Sequence, residues 1–181
     1  MHTPTHSTAP VSAAAGEIVF TTCTVADAAQ AQSAGGQRRQ VSVGGKRVKT
    51  IDVHAHCIIP QAMKLVGHTR VETRGPNIDE VGPIRIGEMD KQGIDVEALS
   101  INPFWYRAER DVAEQVVKIQ NEKLAEFCGK YPDRFVAFAS VALQFPDLAI
   151  QQLEHGVEKQ GLRGAAGGAS GAGFGFSDPK I

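Results

Sequence analysis

His54 and His56 stand two residues apart in the run Ile51-Asp52-Val53-His54-Ala55-His56. Imidazole nitrogen is a common ligand for zinc and other first-row metals. Side chains at i and i+2 of a strand leave the same face, so two imidazoles at this spacing can converge on one ion. Ile51 and Val53 alternate with Asp52 and His54, which reads as a strand with one apolar face and one face that carries chemistry. Asp52 is then expected on the histidine face. There it either touches a ligand imidazole or the metal, or serves as a buried polar residue bonded to nearby loops. Cys57 follows directly but falls on the opposite face from His56, which suits a small buried residue better than a ligand.

The elements that must position this pair can be read around it. Residues 1–38 are small and polar and read as a disordered tail or a degenerate leader, and residues 39–181 as the folded part. Gln40 to Val48 around Gly44-Gly45 predicts a hairpin, and Lys49 to His56 the first main strand. Residues 57–82 show no clear period. Pro83 opens a predicted helix that runs to Gln92 and stops at Gly93, and Val96 to Ile101 is a second strand. Asp111 is the expected N-cap of a helix to about Cys128. Phe135 to Val141 is an almost continuously apolar strand, the pattern of a strand buried on both faces of a parallel sheet. Pro146-Asp147 opens a third helix in which Ile150, Leu153 and Val157 share one side, and Leu162 to Ala166 makes a weak fourth strand. The order β, α, β, α, β, α, β suits parallel βαβ units. Asp90 and Asp95 flank the turn before the second strand, where capping and turn formation account for them. The glycine run from Gly164 to Gly175 lacks the G-x-G-x-x-G pattern after a firm strand, so a nucleotide loop is rejected. Ser177-Asp178-Pro179 reads as the start of a further helix.

Composition narrows the partners. A formal net charge of −1 offers no electrostatic basis for binding nucleic acid or an anionic membrane. No apolar run is long enough to span a bilayer. Cys23, Cys57 and Cys128 are scattered and form neither a disulfide framework nor a CxxC pair, so a reducing, cytoplasmic compartment fits. Export is the alternative if the leader-like stretch Gly16 to Gln32 has an upstream start, since no Lys or Arg precedes Arg38.

With the elements in order, the chain resembles the amidohydrolase superfamily, and more closely its amidohydrolase-related branch of aminocarboxymuconate semialdehyde, resorcylate and carboxyvanillate decarboxylases. The residues that carry the resemblance are His54-Ala55-His56, Met89 to Asp95 leading into Leu99-Ser100, and Asn121-Glu122. Tyr131-Pro132-Asp133-Arg134-Phe135, Val141 to Gln144 with Pro146, and Gly161-Leu162-Arg163-Gly164 complete it. The resemblance implies a (β/α)8 barrel with its site at the C-terminal ends of the strands. Here that means an α/β fold of about four βα units, a partial TIM-type barrel, since such barrels need roughly 250 residues.

The resemblance further implies a divalent metal, zinc by expectation, held in part by His54 and His56. A later histidine and a strand-end aspartate that acts as acid/base are not matched in this chain. His2 and His6 lie in the tail and His155 in the third helix. His68, in the loop after the first strand, either reaches the site or is a surface residue. Phe104 and Trp105 follow the second strand and form either an aromatic substrate wall or a hydrophobic plug. Arg163 either holds a substrate carboxylate or makes a structural ion pair. The activity implied is hydrolysis or decarboxylation of a small carboxylated aromatic or unsaturated acid, with the polypeptide short of ligands and inactive alone. The competing expectation is a non-catalytic half-barrel that pairs with a second copy to close its sheet.

Overall fold

The computed structural model describes residues 38–67, 75–78, 81–168, 170–171, 174–175 and 179. All belong to the unit Gly35–Ile181. The expectations for the tail fall on residues outside this set.

The described chain opens with the expected hairpin. β1 (Ser42–Val43) pairs antiparallel with β2 (Lys46–Arg47), and Gly44 and Gly45 close the turn at φ of 55° and 75°. Two successive positive φ values make a type I′ turn, which glycine adopts without a side-chain clash. The hairpin is tied to the main sheet through Asp95. Its buried carboxylate accepts the Thr50 N–H at 2.7 Å and pairs with Arg47 and Arg38. The Thr50 N–H, followed by the two arginines, holds that carboxyl below the usual aspartate range. Asp95 thus does more than shape a turn.

The main sheet is parallel, in the order β3 (Ile51–His56), β4 (Val96–Ser100), β5 (Phe135–Ala137). Every residue of β4 is buried, as a strand with neighbours on both sides and helices against it should be. The fourth strand is present as backbone bonding more than as regular ladder. The Arg163 N–H donates to Ala137 O at 2.8 Å, Ala139 N–H to Gly164 O at 2.7 Å, and Ala166 N–H to Ala139 O at 3.0 Å. Glycine and alanine offer this strand little side-chain packing, which fits its single regular bridge at Ala139 and Ala165.

Among the described residues the strands are connected by α-helices α1 (Pro60–Lys64), α2 (Ile86–Gln92), α3 (Arg110–Lys130) and α4 (Pro146–Glu158). α1 sits in a stretch where no period was visible. Proline at its first position was the available signal, because proline's fixed φ and missing N–H suit the first helical turn. α2 is preceded by a π-helical turn, Val81–Arg85, and ends at Gly93 with φ of 80°. α3 starts two residues earlier than expected. Its N-cap is Glu109, and Asp111 lies in the first turn, where a carboxylate faces the positive end of the helix dipole.

α4 turns large apolar side chains outward. Ile150 and Val157 are exposed, while Leu148, Ala149 and Gly156 are buried. A Cβ on Gly156 would stand 3.1 Å from the Ala139 Cβ, so close backbone approach, not side-chain bulk, selects the buried face. Near the end of the described chain, β6 (Ser170–Gly171) and β7 (Phe174–Gly175) form a second small antiparallel pair within the glycine run. The helix expected from Ser177-Asp178-Pro179 falls largely outside the described residues.

The core lies between sheet and helices, with Leu99, Phe135, Met89, Val116 and Leu124 fully buried within it. Asn121 fastens α3 to the chain after β5. Its amide donates to Ser140 O at 3.0 Å and its carbonyl oxygen accepts the Ser140 N–H at 2.8 Å. Among the described residues no helix is long and apolar enough to cross a membrane.

Candidate metal centre

The site is built where β3 meets β4. Ile51 and Asp52 pair with Val96 and Glu97, but Ala55 and His56 pair with Leu99 and Ser100. β3 therefore carries one extra residue between Asp52 and Ala55, a β-bulge. A one-residue slip reverses which face a side chain takes. Asp52 shares a row with Glu97, and Glu97 alternates with Ser100, the partner of His56. Asp52 is consequently not on the face of His56, contrary to simple i, i+2 counting. The Glu97 carboxyl feels the Asp52 charge, in keeping with this placement. The Asp52 carboxylate instead accepts the His54 N–H at 2.9 Å, an Asx-type bond across the bulge.

The two histidines do come together. Their ring centroids are 4.8 Å apart and the planes are nearly perpendicular, at 88°. His54 is exposed and His56 half-buried. Ser100 Oγ lies 2.9 Å from His56 Nδ1, which leaves Nε2 of that ring as the nitrogen available to an ion. Burial, then the adjacent His54, push the His56 pKa below the ordinary histidine value, with a hydrogen bond to the Ser100 backbone opposing them. A neutral imidazole is the ligand form, so the donor chemistry of the pair suits a divalent ion. Among the described residues no group of three or more His, Cys, Asp or Glu could hold a metal. The described pair by itself offers two imidazole donors. His68 lies outside the described residues, and His155 is exposed on α4.

The neighbouring groups are accounted for otherwise. Cys57 is fully buried with Sγ 3.8 Å from Ser100 O, and burial pushes its thiol up to about 12. Glu97 is buried and paired with Arg85, whose Nε lies 2.8 and 3.0 Å from its two carboxylate oxygens. Burial raises the Glu97 pKa and the Arg85 bond opposes it.

Trp105 has no exposed surface, and its indole N–H donates to Val141 O at 3.0 Å. It packs between the loops after β4 and β5, with its whole surface buried. Gln144 reinforces the junction by donating to Trp105 O at 2.9 Å. Phe104 stacks edge to face on Trp105, at 5.3 Å between centroids, and stays half-exposed. It lines an open cavity of about 360 Å³ with Leu65, Val66, Arg107 and Val112, and neither histidine lines that cavity. Arg163 is exposed, and its charge acts on the Cys128 thiol of α3. Neither a bond to the histidines nor an ion pair is seen for it among the described residues. Ser100 is the contributor that sequence reasoning left without a role. The signal was the adjacency of two parallel strands, which sets their last residues side by side.

Similarity to known proteins agrees with this geometry. The amidohydrolase family model matches residues 51–179, from the start of β3 nearly to the end of the chain. Gamma-resorcylate decarboxylase of Rhizobium radiobacter is 39% identical over 88 residues, covering 48% of this chain and 27% of its own length. The solved 2,6-dihydroxybenzoate decarboxylase complexed with 2,6-dihydroxybenzoate superposes with a TM-score of 0.53 at 28% identity, covering 65% of this chain and 38% of that one. A dihydroxybenzoic acid decarboxylase from Polaromonas sp. JS666, with bound manganese and the inhibitor 2-nitroresorcinol, gives 0.53 at 27% identity, covering 65% and 37%. The chain thus spans under two-fifths of the length of these relatives, and its parallel α/β sheet corresponds to part of a TIM-type barrel. On the family match and the shared fold together, the chain belongs to the amidohydrolase family.

Proposed function

We propose that this chain contributes the first-strand metal donors of a metal-dependent carboxy-lyase acting on small aromatic acids. The observation that carries the reading is the His54–His56 pair, set edge to face at the C-terminal end of β3 in a chain of this family. The names of the similar proteins favour decarboxylation over hydrolysis. They also favour manganese beside the zinc that the residues alone suggest. A divalent ion bound there would polarise a carboxylate or phenolate oxygen of the substrate. His54 and His56 would hold it as neutral imidazoles, and Phe104, in the loop after β4, would offer an aromatic surface to the substrate. Trp105 backs Phe104 from the core. Arg163, exposed after β5, is the residue we assign to a substrate carboxylate. Two protein ligands fall short of the three usual for a catalytic zinc, so this polypeptide alone should bind metal weakly and release no carbon dioxide.

Relaxation of the ring protons of 2,6-dihydroxybenzoate tests the reading. Addition of Mn2+ and the full chain should enhance that relaxation beyond Mn2+ alone, and replacement of both histidines by alanine should remove the excess. No excess with the wild-type chain would count against it.

A second reading is favoured by one observation. Ile51 and Val53 of β3 are 52% and 71% exposed, at the edge of the main sheet among the described residues. Large apolar side chains on an open edge strand invite pairing. In this reading two copies associate through β3, and the chain serves as a non-catalytic half-barrel module.

A further inference from the structure

We propose that Ser100 is a positioning residue for metal capture: it holds His56 with the proton on Nδ1, so that Nε2 presents its lone pair to the ion. The inference rests on the metal-centre reading above and goes beyond it in assigning the tautomer and the residue that sets it.

A neutral imidazole carries one N–H, on either nitrogen, and only the other nitrogen can ligate. Ser100 Oγ is 2.9 Å from Nδ1, so that nitrogen is engaged whichever partner gives the proton. If the hydroxyl accepts, Nε2 is free of hydrogen and ready to bind. If it donates, Nε2 carries the hydrogen and is blocked. A metal-ligating histidine ordinarily donates its other N–H to an oxygen beside it, which fixes both tautomer and ring orientation.

Ser100 is well built for this duty. It closes the fully buried strand β4 and pairs directly with His56 across the ladder. Its carbonyl accepts the Cys57 N–H at 3.0 Å, so the residue after His56 is bonded to the same serine. Cys57 in turn is fully buried in the core. The serine is therefore held by its backbone and touches the imidazole with its side chain. Ring orientation at His56 follows from strand pairing, not from an independent loop. The bulge at Val53–His54 is separated from the His56–Ser100 row by the regular Ala55–Leu99 row and does not disturb it.

The test uses the full chain with 15N-labelled histidine, metal-free, at a pH where the imidazoles are neutral. Long-range nitrogen–proton correlations identify the tautomer at each ring, and a competition titration with Mn2+ or Zn2+ gives the affinity. Wild type should show His56 mainly as the Nδ1–H form. Ser100→Ala should move it toward the Nε2–H form and weaken metal binding about tenfold or more, with an unchanged far-ultraviolet circular dichroism spectrum. Ser100→Thr, which keeps the hydroxyl, should restore both. Wild-type His56 found mainly as Nε2–H would overturn the inference. So would Ser100→Ala with unaltered affinity when His56→Ala abolishes binding, and in that case the metal centre itself stands. If His56→Ala leaves the affinity unchanged, the metal-centre reading falls and takes this inference with it.

Discussion

A single extra residue in β3 decides which side chains accompany His56. The H-x-H spacing is legible in the sequence because it depends only on two nearby residues. The bulge is not, since it arises from pairing with β4, and so Asp52 was expected on the wrong face. Ser100 escaped notice for the same reason, as its partner lies 44 positions away. Buried polar residues on α3 were equally invisible to a search for apolar spacing. Asn121 is the consequential one. Asn121→Ala should destabilise the fold by roughly 2–4 kcal/mol, because it orphans both backbone groups of the buried Ser140. Chemical denaturation measures this, and a loss within experimental error would refute the clasp. Cys57 gives a second prediction. With its thiol pushed up to about 12 and no exposed surface, it should resist alkylation in the native chain. In a Cys23→Ser background, rapid labelling at Cys57 before unfolding would contradict the burial.

At the level of elements, pattern reading succeeded where burial is even and faltered where packing is local. β4 was legible because it is buried throughout, and the β1–β2 turn because two glycines have one favoured geometry there. On α4, apolar size does not mark the buried face. The close approach is instead made by Gly156 to Ala139, in the chain after β5, and Ile150 and Val157 remain outside. The hairpin's attachment rests on Asp95, whose pKa is lowered in the folded state. A carboxyl of this kind favours folding above its unfolded pKa of about 3.9 and loses that contribution as pH falls through the lower folded value. Asp95→Asn should therefore be less stable than wild type at neutral pH, and the difference should shrink in acid. Parallel denaturation series at neutral and acid pH would reveal it. A gap that widens on acidification would reverse the sign and refute the assignment.

For the molecule as a whole, the order of strands and helices carries more information than any one motif. It identified a parallel α/β arrangement and a barrel-type family before the site was complete, and the match over residues 51–179 agrees. What the order could not supply is the remainder of the ligand set, since ligands in such a fold converge from several strands. The exposed Ile51 and Val53 bear on assembly at this scale. Burying each is worth about 1.5–3 kcal/mol, so association through β3 should appear as a concentration-dependent dimer in sedimentation, weakened by Val53→Lys. A monomer at every concentration would exclude self-pairing and leave the metal-donor reading in place. The central claim rests on the histidines, and its most direct measurement is a metal titration of the full chain beside His54→Ala, His56→Ala and the double variant. The account predicts weak binding of Mn2+ or Zn2+ by the wild type, reduced in each single variant and absent in the double. Equal affinity in the wild type and the double variant would contradict it.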